Sequence, residues 1–95
     1  MMATTQSTSS DALSEHFETI REIIADTTNT DPAEIWPEAF ILEDLNITEE
    51  AVRTIVRRIN KTFVISLALE EILNEFETLT VQNILNYVEE EIELG

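Results

Sequence analysis

Cysteine is absent from this chain of 95 residues, and glycine and proline are nearly so: one glycine at position 95, two prolines at 32 and 37. Without cysteine there is no disulfide framework and no thiol chemistry, a composition that suits the cytosol. With so few helix breakers, the chain reads as all-helical. One histidine, His16, cannot assemble a zinc or nucleophilic site without cysteine or a second histidine, and it reads as a half-exposed structural residue. No calcium-loop spacing and no catalytic constellation occurs, so neither a metal site nor an enzyme is expected. No apolar run approaches about 18 residues, which excludes a membrane-spanning helix. Basic residues are also scarce, five against twenty acidic ones, for a net charge of −15. Such a surface repels nucleic acid and anionic lipid.

What is present is helical periodicity. Residues 1–10 are polar, lack the basic start and apolar core of a secretory signal, and read as a disordered tail preceding one domain at 11–95. A first helix is predicted from Ser10 or Asp11 to about Asp26, with Leu13, Phe17, Ile20 and Ile24 as its apolar stripe, widened by Ile23. Residues 32–47 form a long loop too rich in Ile35, Trp36, Phe40, Ile41, Leu42 and Leu45 to be a linker. Trp36 is expected to anchor it in the core. Thr48 caps a second helix in which Val52, Ile55, Val56, Ile59 and Phe63 share one face. Ser66 caps a short third helix through Phe76. Thr80 caps a fourth with Val81, Ile84, Leu85, Val88 and Ile92 inward. The run Glu89-Glu90-Glu91 with Glu93 reads as a solvated charge cluster.

The stretch Glu43-Asp44-Leu45-Asn46-Ile47-Thr48-Glu49-Glu50 resembles the loop and helix start of acyl carrier proteins, whose pattern reads Asp-Leu-Gly-x-Asp-Ser-Leu. The resemblance covers residues 17–92. Asp31-Pro32-Ala33-Glu34-Ile35 with Pro37-Glu38-Ala39 resembles the family's approach to that loop. Phe63 stands nineteen residues after Asp44, matching the family's second-helix phenylalanine without a gap. Ile65 and Leu67 match its Phe-Gly-Ile-x-Ile-Pro run, and Thr80-Val81-Gln82 the start of its last helix. The resemblance implies an acyl-carrier-like four-helix bundle with a long first loop and a short third helix. It also locates the departures: Asn46 and Val64 replace glycines, Thr48 an aspartate, Glu50 a leucine, Ala68 a proline, and Glu49 the serine that carries phosphopantetheine. Glu49 has no hydroxyl to modify. Thr48 has a secondary one, already committed as a cap, and is a poor attachment site. No cofactor is therefore expected; phosphopantetheine enters only if this is a working carrier with an unusual attachment residue.

Charge supplies the functional expectation. Arg53, Arg57, Arg58 and Lys61 fall opposite the apolar stripe of the second helix, where a carrier is usually acidic. Against Glu49 and Glu50 they leave residues 49–63 at +2, while the rest of the chain stands at −17. Such a stripe is either a solvated face or a docking surface for a protein partner with an acidic surface. The expectation is a monomeric, cytoplasmic carrier-like domain acting by protein–protein contact in or near a fatty-acid or polyketide type pathway. An unrelated acidic helical adaptor is the remaining alternative.

Overall fold

The computed structural model describes the backbone of residues 4–94 and the side chains of residues 15–93. Within them stand four α-helices: α1 (Thr4–Thr28), α2 (Glu49–Phe63), α3 (Leu69–Asn74) and α4 (Val81–Leu94), with 3-10 turns at Pro32–Glu34 and Phe76–Thr78. α1 packs on α2 and α4, and α2 on α3. The only extended pairing among the described residues is an isolated bridge between Phe40 and Thr80.

α2 follows from its residues most directly. The Thr48 hydroxyl accepts the Ala51 amide at 3.2 Å, Glu49 and Glu50 occupy the positive end of the helix dipole, and Lys61 lies in the last turn. Val52, Ile55, Val56 and Ile59 are buried as their spacing predicts, and Phe63 packs against them half-buried. The helix is closed by Val64 at φ 57° and ψ 52°, whose amide bonds the Asn60 carbonyl. A β-branched residue in the left-handed region is costly, and this one is 88% exposed, so packing does not repay it.

α1 extends past both of its expected ends. At its close Asn29 turns left-handed at φ 58°, and the Thr30 amide bonds the Ala25 carbonyl at 3.1 Å. The tail expected over residues 1–10, the candidate caps Ser10 and Asp11, and Leu13 all lie outside the residues whose side chains are described. Ile20, Ile23 and Ile24 are buried, with Phe17 packed beside them.

Three local expectations are corrected. Ser66 does not cap α3: the Asn60 side chain takes the Leu67 amide at 2.9 Å, and the helix starts only after Ala68, with no side-chain cap. α3 also stops at Asn74, because the Glu75 amide bonds back to Ile72 and tightens the chain, leaving Phe76 in a 3-10 turn. The stripe of α4 is buried from Val81 to Val88, whereas Ile92 in its last turns is exposed. Thr80 does cap α4: its hydroxyl accepts the Asn83 amide at 3.1 Å while its own amide donates to the Asn83 side chain at 2.9 Å.

The long loop is a structural element of the core. Ile35, Ala39, Ile41 and Ile47 are buried. Its backbone reaches the segment just before α4 through Ile41 N to Leu79 O (2.8 Å), and the first turn of α4 through Val81 N to Ala39 O (3.1 Å) and Gln82 N to Pro37 O (2.9 Å). Trp36 is not the expected anchor: it is 59% exposed. The neighbouring Ile35 takes the inward position, and alternation in an extended segment turns the next side chain outward.

Candidate functional site

The loop entering α2 is closed by its own hydrogen bonds. The Phe40 carbonyl accepts the amides of Asp44 (3.1 Å) and Leu45 (3.0 Å), and the Asp44 carboxylate accepts the Phe40 amide at 2.8 Å. Asn46 sits left-handed at φ 56°, a conformation asparagine tolerates better than most residues. The Ile47 amide then returns to the Ile41 carbonyl at 2.9 Å and sets Thr48 at the helix start.

This loop delivers exposed carboxylates to the start of α2, Glu49 first and Glu50 next. A shallow cleft of about 390 Å³ beside Glu49 is lined by Leu73 and Phe76, but also by Glu75 and Glu77. Three carboxylates make it a poor bed for an acyl chain. The residues do not fit a phosphopantetheine arm. Glu49 offers no hydroxyl, and that of Thr48 is held by the Ala51 amide.

On the outer face of α2, Arg53, Arg57 and Lys61 recur every fourth residue and are all exposed. Among the described residues none of the three makes an ion pair. Arg58 differs: its guanidinium lies 2.9 Å from the Asp26 carboxylate and 2.9 Å from the Thr27 hydroxyl. It ties α2 to the end of α1, so the open cationic surface is a stripe of three.

His16 is half-buried, as expected, and faces the Glu89 carboxylate while its ring meets Phe63 edge-on at 5.6 Å. That contact takes Glu89 out of the solvated run at the C-terminus; Glu90 and Glu93 are exposed. The Tyr87 hydroxyl donates to Glu75 at 3.2 Å. Burial, with the Glu75 carboxylate second, raises the Tyr87 pKa above the ordinary tyrosine value. One grouping escaped the sequence reading: Trp36 lines an open notch with Glu34, Glu38, Ala39, Asp44 and Leu45. Its only sequence signal was a tryptophan among acidic residues in a loop.

No protein-family model matches the chain, and no curated protein is significantly similar to it.

Proposed function

We propose that this chain is an acyl-carrier-like domain without a phosphopantetheine arm, and that it works through protein–protein contact in or near a fatty-acid or polyketide type pathway in the cytoplasm. It performs no chemistry of its own. The observation that carries this reading is the start of α2: the position the resemblance assigns to the modified serine is an exposed glutamate, and the adjacent hydroxyl is a helix cap. The resemblance is supported by two of the three left-handed residues, Asn46 and Val64, which stand at the positions it assigns to glycine. The loop that crosses to α4 supports it as well.

The partner is a protein with an acidic surface, received on Arg53, Arg57 and Lys61. These charges are solvated, so they steer encounter and orientation more than they add affinity. No helix among the described residues is long and apolar enough to cross a membrane.

The deciding test is the intact mass of the protein purified from its own host. The bare chain mass is expected. An added phosphopantetheine, mapped by fragmentation to Thr48 or elsewhere, would instead make this a working carrier. For docking, Arg53→Glu/Arg57→Glu/Lys61→Glu should abolish capture of the partner while the helical circular dichroism stays intact. Undiminished capture sinks the docking assignment.

A further inference from the structure

The notch around Trp36 is lined by no residue of the basic stripe and has the opposite character. From residue 22 to residue 52 the chain carries nine acidic residues and no lysine or arginine. Within that stretch, Glu34, Glu38 and Asp44 border an opening of about 330 Å³ whose apolar walls are Trp36, Ala39 and Leu45. The indole is 59% exposed, although its neighbours Ile35 and Ala39 are in the core. Tryptophan is enriched among the residues that carry the binding energy of interfaces.

The backbone beneath the indole is fixed. The Trp36 carbonyl accepts the Ala39 amide at 3.0 Å, and Pro37 and Ala39 are bonded to Gln82 and Val81 at the start of α4. Little order remains to be imposed when a ligand arrives. One Asp44 oxygen holds the Phe40 amide, which leaves the other for a ligand.

We infer that this notch is a docking site for an arginine side chain of a partner peptide, stacked on Trp36 and paired with Glu34, Glu38 and Asp44. A guanidinium is flat, weakly hydrated and always charged, so it can lie on an indole face while its edge meets carboxylates. A lysine ammonium satisfies the carboxylates but stacks less well. An acidic partner, which suits the α2 stripe, is repelled here. The domain therefore carries two surfaces of opposite charge preference.

The probe is a short capped peptide, acetyl-Gly-Arg-Gly-Arg-Gly-amide, titrated at low ionic strength and followed by amide NMR shifts. Trp36 is the single tryptophan, so its fluorescence reports the same event independently. Shifts should centre on Trp36, Ala39 and Leu45. Trp36→Leu, which keeps apolar bulk and removes the ring, should weaken binding about fivefold, and the lysine version of the peptide by about threefold. Glu34→Gln/Glu38→Gln should weaken it about fivefold, while Glu90→Gln/Glu93→Gln, removing equal charge from the end of α4, should change it less than about twofold. Equal losses from the two double variants would mean generic adsorption to an acidic protein and would overturn the site. Equal affinity for arginine and lysine peptides would overturn the stacking on Trp36, and no detectable binding would overturn the whole inference.

Discussion

α2 and residues 29–48, the segment leading into it, bury isoleucines equally well by opposite means. Ile55 and Ile59 of α2 are inaccessible to solvent, and so are Ile35 and Ile41 of the loop. In α2 each backbone amide beyond the first turn is satisfied within the helix, and one side chain, Thr48, completes its start. In the loop the amides go to short local turns and, at Ile41, to Leu79, while the Pro37 and Ala39 carbonyls accept the Gln82 and Val81 amides, so the segment leans on the start of α4 for part of its backbone pairing. Equal burial thus conceals different dependence. The helix needs its neighbours only for its apolar face, whereas the loop needs them for its backbone too.

The sharpest way to break this comparison is to cut equivalent cavities. Ile55→Ala and Ile41→Ala should each cost about 2–5 kcal/mol in denaturant unfolding, because both side chains are fully enclosed. A cheap Ile41→Ala would demote the loop to a covering strap. Next in size are the caps: Thr80→Ala should cost about 1–2 kcal/mol and Thr48→Ala about 1. Thr80 is given the larger value because its hydroxyl completes a reciprocal pair with Asn83 and is half-buried, whereas Thr48 is exposed. Equal losses would show that the reciprocal pair adds nothing beyond an ordinary cap.

Val64→Gly should raise stability, by up to about 1 kcal/mol, since relief of left-handed strain exceeds the added freedom of the unfolded chain. A loss would mean that the exposed valine makes a contact worth more than its strain. Trp36→Ala should cost no more than about 1 kcal/mol, far below Ile41→Ala, and Trp36 emission should be solvent-like and readily quenched by acrylamide. The smallest effect is one of pH. The pKa of Tyr87 is higher in the folded state, so its contribution is present below about pH 10 and declines as pH rises through the folded-state value. Tyr87→Phe should flatten the alkaline limb of a stability–pH curve relative to the parent protein.

Legibility in the sequence followed the same division. The bounds of α2, its cap and its buried stripe were readable because they depend on residues three and four apart. Thr80 was readable for the same reason. Ser66 misled because the chain is not yet helical there: the Asn60 side chain holds the Leu67 amide from across the turn, and α3 starts only at Leu69, with Ala68 at the cap position. Trp36 misled because hydrophobicity and size favour burial, yet in an extended segment the direction of a side chain is set by its neighbour's anchoring. The cations of α2 were legible as a group, but the pairing of Arg58 with Asp26 across 32 residues was not.

Sequence alone determined the composition-driven properties: an acidic helical chain without thiols, a well-capped α2 with a cationic outer face, and a glutamate where the resemblance places a modified serine. Each is a matter of residue identity or of spacing within a few turns, where covalent connection fixes the geometry. Tertiary structure alone decided that the loop joins the core through α4, that Arg58 is tied to α1 while three cations stay open, and that Trp36 faces outward among carboxylates. Those outcomes depend on which distant groups compete for the same amide, carboxylate or buried volume, and that competition is settled only when the chain has closed on itself.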